Sequence, residues 1–180
     1  MKYDIVFESE NLLFVKPSID LVDDYLIMVN DKDNQKFISK EAKHYTKEAE
    51  IEWVKSKIDY GYLFSIIEKS TGNFVGNIEL MHKTEETAEL GTCLTKNMQD
   101  KHYGSEAEEA LLKYAFEVLD LDYLTARVYD YNGRSLHCAK KVGFNEIDRT
   151  DTEGIPGKFQ EVNLRITKDD YFKNNKRKSI

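Results

Sequence analysis

Apolar positions change their period several times along the chain, and each change marks an element. Leu12 to Val15 is a short apolar run that Pro17 ends, as expected of a strand. Ser18 can then cap a helix whose apolar positions, Leu21, Tyr25, Leu26 and Val29, recur at helical spacing. Thr46 can cap a second helix. Glu48 and Glu50 fall in its first turn, where the helix dipole favours negative charge, and Ile51, Val54 and Ile58 share one face. The period then drops to two. Leu63 to Glu68 and Phe74 to Leu80 read as strands joined by the turn Ser70-Thr71-Gly72-Asn73. Ala88 to Leu94 is a further strand, with Ala88, Leu90, Thr92 and Leu94 on one face and Glu89, Gly91 and Cys93 on the other.

The clearest helix follows, on the amphipathic stripe Ala107, Ala110, Leu111, Tyr114, Ala115, Val118 and Leu119. Tyr123 to Asp130 is a strand, Asn132 to Val142 a short helix closed by Gly143, and Asn145 to Arg149 and Phe159 to Ile166 are two more strands. The order β-α-α-β-β-β-α-β-α-β-β predicts an α/β fold, a mixed sheet covered by helices. The 180 residues suit one domain, 1–180. The basic run Lys173 to Lys178 suggests that 169–180 is a frayed tail.

Composition narrows the classes. Hydrophobic residues at 41% and charged residues at 33% suit a soluble globular chain. A net charge of −7 argues against nucleic-acid binding, which needs a basic face. It favours a cationic partner, although negative charge also serves solubility. No run of about 18 apolar residues occurs, so no membrane span is expected. Met1 to Val6 lacks the apolar stretch of a signal peptide. Cys93 and Cys138 form no metal spacing and no disulfide framework, so no metal is expected and a reduced, cytoplasmic setting is the default.

Chemistry first appears where the strand ending at Leu94 meets the long helix, in Gln99-Asp100-Lys101-His102-Tyr103-Gly104-Ser105-Glu106-Ala107. A helix N-terminus offers free N–H groups and a favourable dipole to an anion, and Gly104 would let a phosphate approach the backbone. Alone, a glycine beside a helix start is also an ordinary turn residue. A second segment follows, Tyr131-Asn132-Gly133-Arg134-Ser135-Leu136-His137-Cys138-Ala139-Lys140-Lys141-Val142-Gly143-Phe144.

Together these segments resemble the GNAT acetyltransferase superfamily, in its ribosomal-protein and polyamine acetyltransferase branch. The first is similar to the family's Q/R-x-x-G-x-G/A coenzyme loop and the second to its N-x-x-S … K-x-G-F helix. Gly157-Lys158-Phe159-Gln160-Glu161-Val162 resembles the family's entry into its last strand. The likeness runs from Leu12 to Tyr171. One departure stands out: His102 occupies the place of the loop's first glycine, where a Cβ tolerates positive φ poorly. Either the loop has ordinary φ/ψ at that place or coenzyme affinity is reduced.

The resemblance implies a mostly antiparallel sheet with helices on both faces, acetyl-CoA as cosubstrate, and a small-molecule or peptide amine as acceptor; it leaves room for a homodimer. It further implies that the amides of His102, Tyr103, Gly104 and Ser105 hold the pyrophosphate. The backbone of Cys93 and Leu94 would run beside pantetheine, Asn132 would bond the pantetheine arm, and Arg134 could reach a phosphate or only solvate its face.

The reaction needs a proton taken from the amine, a stabilised thioester oxygen and a protonated leaving thiolate. Glu79 and Glu89, on adjacent strands, are candidates for the base, or are exposed strand carboxylates. A backbone N–H near Leu94 is the oxyanion donor. Many family members carry the acid as a tyrosine at the place of Ala139. Ser135 is the substitute candidate, or only a capping residue, and Cys138 is a third option. A non-catalytic acyl-CoA sensor is the alternative, and a nucleotide-binding α/β domain is a second rival.

Overall fold

The computed structural model describes residues 3–178. Its strands are β1 (Ile5–Glu8), β2 (Leu12–Val15), β3 (Leu63–Glu68), β4 (Phe74–Met81), β5 (Thr87–Leu94), β6 (Tyr123–Tyr129), β7 (Asn145–Gly154) and β8 (Gly157–Thr167). Its helices are α1 (Val22–Asn30), α2 (Lys32–Ile38), α3 (Lys47–Tyr60), α4 (Tyr103–Lys113), α5 (Gly133–Val142) and α6 (Lys168–Lys178). A 3-10 turn, Ile19–Leu21, leads into α1, and α4 runs on into a π-helical turn, Tyr114–Val118. The strands form one sheet in the order β1-β2-β3-β4-β5-β6-β8-β7. Pairing is antiparallel except between β5 and β6. A parallel pair needs a crossover, and α4 provides it.

Helices cover both faces, and the strand sequences follow from that. Leu12, Phe14, Phe64, Ile66, Ile78 and Leu80 pack beneath Leu111 and Leu112 of α4 and Ala139 and Val142 of α5. On the other face Val15, Ile67 and Phe74 meet Leu21, Tyr25, Met28 and Val54. Central strands buried on both faces lose their alternation, and β3 is buried from Leu63 to Ile67. Each large apolar side chain taken into these layers contributes about 1.5–3 kcal/mol. The polar Ser65 within β3 is satisfied by the buried Tyr25 hydroxyl at 2.5 Å. Gly76 permits the closest approach in the sheet, since a Cβ there would lie 2.1 Å from the Cys93 carbonyl oxygen of β5.

Capping residues act where the sequence placed them. Thr46 Oγ1 accepts from the Ala49 N–H at 3.3 Å, and Gly143 closes α5 with φ 115. Ser18 caps the 3-10 turn that precedes α1. The structure adds three elements to the sequence reading. β1 stacks Phe7 on Phe14 with ring centroids 4.4 Å apart. α2 is capped by Asp31, whose carboxylate accepts from the Asp33 and Asn34 amides. The third addition, α6, corrects the expected tail at 169–180 over the described residues. Thr167 Oγ1 accepts from the Asp170 N–H at 3.1 Å while the Asp170 carboxylate accepts from the Thr167 hydroxyl at 2.7 Å, a reciprocal cap, and Tyr171 is buried. Two stripe residues turn outward: Ile58 is 44% and Val118 66% exposed. Val118 lies in the π turn, whose wider winding rotates it off the α-helical face.

Candidate active site

β5 and β6 are paired only at Thr87–Tyr123, Ala88–Leu124 and Glu89–Thr125. Beyond Glu89 they part, because β5 stays in register with β4 to Leu94 while β6 follows β8. A cavity of ≈ 870 Å³ opens in the gap, lined from both faces of the sheet.

At one end stands the N-terminus of α4. Its first intrahelical bond runs from Glu106 N–H to the His102 carbonyl at 3.1 Å, so the amides of Tyr103, Gly104 and Ser105 have no acceptor within the helix. A Cβ on Gly104 would lie 3.6 Å from Cys138 Sγ and 3.7 Å from Leu94 Cδ1, which leaves room above the backbone. His102 is left-handed, with φ 66 and ψ 0, and Asp100 also has positive φ. The loop therefore keeps the conformation that suits glycine and strains histidine. The Ser105 hydroxyl donates to the His102 carbonyl at 3.1 Å and accepts from Lys141 Nζ at 3.4 Å. Tyr103 contributes only its backbone here: its side chain turns away, and its hydroxyl donates to Glu68. Arg134 is exposed and pairs with Asp100 at 3.2 Å. These groups fit a phosphate-bearing coenzyme: free amides, a dipole of the right sign and open space over a glycine.

Along the gap the β5 backbone alternates. Thr95 N–H donates to the Val75 carbonyl at 2.9 Å. By the rhythm of an antiparallel ladder, Cys93 then turns its peptide groups to β4, and Thr92 and Leu94 turn theirs to the gap. This corrects the expectation for Cys93, whose thiol lines the cavity and is pushed up to about 12 by burial. The Leu94 carbonyl is already held at 3.2 Å by both Asn34 Nδ2 and Gln99 Nε2, leaving the Leu94 N–H toward the cavity. Asn132 spends its carboxamide oxygen on the Ser135 N–H at 3.3 Å, capping α5. Ser135 lines the cavity, and its hydroxyl takes no part in the cap.

The carboxylates fall on two walls. Glu79 lies opposite Gly91 and Glu89 opposite Met81, so both share the sheet face with Asn77 and Cys93, toward α1 and α3. Glu79 is 8% exposed and ion-paired with Lys57, whose ammonium also lies over the Trp53 and Tyr60 rings. Glu89 pairs with Arg127 Nε at 2.9 Å, which raises the guanidinium further. On the opposite wall Glu108 of α4, 5% exposed, is pushed up to about 8 by burial. Sequence reading passed over Glu108, Asn34 and the aromatic wall of Phe37, Trp53 and Tyr129, and gave Gln99 a place in the loop motif but no role. Glu108 left a signal: it sits four residues after Gly104 and three before Leu111, a carboxyl on the apolar stripe. Among the described residues no three His, Cys, Asp or Glu side chains gather to hold a metal, and no helix is long and apolar enough to cross a membrane.

With the cleft described, its relatives can be placed. A family model described as an acetyltransferase (GNAT) domain matches residues 11–145. The chain is 32% identical over 90 residues to the uncharacterised N-acetyltransferase YnaD of Bacillus subtilis (strain 168), covering 49% of this chain and 53% of that protein. It spans about half the length of the curated relatives it matches. The spermidine N-acetyltransferase of Vibrio cholerae, solved with CoA and spermine, superposes at TM-score 0.82 with 19% identity, over 91% of this chain and 99% of that one. A GNAT-family acetyltransferase from Bacillus anthracis superposes at 0.80 with 24% identity, over 90% and 98%. The family match takes in β2 to α5, the elements that frame the cleft, and the chain belongs to the GNAT acetyltransferase family.

Proposed function

We propose that this protein transfers the acetyl group of acetyl-CoA to a primary amine, as a single catalytic domain in the cytoplasm. The observation that carries the reading is the gap between β5 and β6, with a free helix N-terminus at one end and two carboxylates on one wall. Acetyl-CoA supplies the activated acetyl thioester. The amides of Tyr103, Gly104 and Ser105 bind its phosphates, with Lys141 and Arg134 adding positive charge nearby. Glu89 or Glu79 takes the proton of the incoming amine, directly or through water, since a free amine is mostly protonated at neutral pH. The Leu94 N–H donates to the developing oxyanion.

A cationic acceptor suits the carboxylates Glu79 and Glu89 on the cleft wall and the net charge of −7. That the related Vibrio cholerae enzyme acts on spermidine supports a polyamine as the first acceptor to try. A protein N-terminus or another small amine is the next. The deciding experiment measures thiol release from acetyl-CoA against a panel of spermidine, spermine, amino acids and short peptides. Turnover with one class identifies the acceptor. CoA binding without turnover on any of them leaves a coenzyme sensor in place of an enzyme.

A further inference from the structure

Glu108 is a buried carboxyl for which the reaction above has no use. It lies one turn into α4 from Gly104, on the same helical face. Its Oε2 and Thr92 Oγ1 on β5 are both buried and face one another, and neither has another polar partner. Both side chains line the cavity, as do Cys138 and Ala139 of α5. The β4 residues on this side, Val75, Ile78 and Leu80, are apolar. Lys141 of α5 is turned to the Ser105 hydroxyl, and among the described residues no cation pairs with Glu108.

A carboxyl so placed keeps its proton, because a bare charge would have little water and no cation beside it. Burial raises it from the ordinary 4.5 to about 8, with the Thr92 hydroxyl opposing. Cys138, on the same wall, has its thiol raised by burial and by Glu108 itself. On the α5 wall Ala139 has no proton to give, and the Ser135 hydroxyl and the raised Cys138 thiol are weaker acids than a carboxyl.

We infer that Glu108 is the acid that protonates the departing thiolate in the transfer proposed above, on which this inference rests. The amine nitrogen bonds to the thioester carbonyl carbon, and the C–S bond breaks with its electron pair on sulfur. The Glu108 O–H proton passes to that sulfur, giving the free thiol and leaving Glu108 as carboxylate. The amine's surplus proton leaves on the opposite wall through Glu89 or Glu79, and solvent returns a proton to Glu108 before the next turnover. An acid that titrates near working pH both holds its proton and gives it up readily.

The test compares the parent with Glu108→Gln, which keeps the shape, and Glu108→Met, which keeps the volume without a polar atom. Thermal unfolding reads the proton without any turnover. Between about pH 4.5 and about pH 8 the folded chain keeps a proton that the unfolded chain has released, so the parent's Tm should fall across that window. Both variants should lose that part of the slope while binding CoA like the parent in calorimetry. Their kcat at pH 7 should drop about 10²-fold, and the parent's decline in kcat above about pH 8 should vanish. A parent that acetylates no amine removes the reaction and this role together. An active parent whose two variants match it in kcat and in pH profile removes the role alone. Variants that lose CoA binding and kcat in step make Glu108 a structural residue and overturn it as well.

Discussion

On one wall of the cleft Glu79 meets Lys57 and Glu89 meets Arg127; on the other, Glu108 meets a hydroxyl and a thiol. The residue type is the same and the depth is similar, at 8% exposure for Glu79 and 5% for Glu108. The neighbours decide the state. Glu79 and Glu89 each have a cation at ion-pair distance, whereas Glu108 has none, and burial raises its carboxyl so that it can give a proton away. In the transfer proposed above, one cleft thereby holds base and acid chemistry on opposite faces of a single sheet.

The contrast can be broken most forcefully by Lys57→Met, which leaves Glu79 as alone as Glu108. Removing one partner of a buried pair costs about 3 kcal/mol or more, which should appear as a Tm loss of roughly 6–12 °C for a chain of this size. Next in size is the loss of the base. Glu89→Gln or Glu79→Gln should lower kcat about 10²-fold in the thiol-release assay, equivalent to about 2.7 kcal/mol, while leaving CoA affinity alone. Full activity in both variants from pH 6 to pH 9 would leave the amine's proton to solvent. Gly104→Val should then weaken CoA binding about tenfold or more in calorimetry, since a branched side chain fills the space above the α4 amides. The smallest effect separates two neighbours on α5. Asn132→Ala removes the cap and about 1 kcal/mol of stability, whereas Ser135→Ala should leave denaturant midpoints unchanged.

How far this could be read from the sequence differs between strands and helices. The strands were legible because burial imposes apolar runs, and β2 and β3 fall at the expected bounds. α2 was hidden because Lys-Asp-Asn-Gln-Lys-Phe-Ile offers no stripe: it is held by the Asp31 cap and by Asn34 and Gln35, polar side chains buried on backbone carbonyls. α6 was masked by its lysines, although Thr167 and Asp170 already spelled its cap. At the site, Gly104, Ser105, Glu79, Glu89 and Ser135, all named from the sequence, line one cavity. The Tyr103 side chain and the Cys93 backbone do not face it, because side-chain direction and ladder parity depend on partners that a single strand does not reveal. His102 was read as either an ordinary conformation or a weakened loop, and it proves left-handed without glycine.

Only three rungs join β1–β5 to β6–β8. The first five strands are built from neighbouring hairpins and return connections, whereas the seam must wait for α4 to bring β6 back beside β5. Long-range parallel pairing of this kind forms slowly, so two half-sheets should assemble first and dock along Thr87–Glu89. In the folded chain this short seam should open more readily than the longer ladders on either side of it, and amide exchange at Ala88 and Thr125 should outpace that in β3. A ligand lying across the gap would act as extra rungs, slowing that exchange and fusing two cooperative units into one.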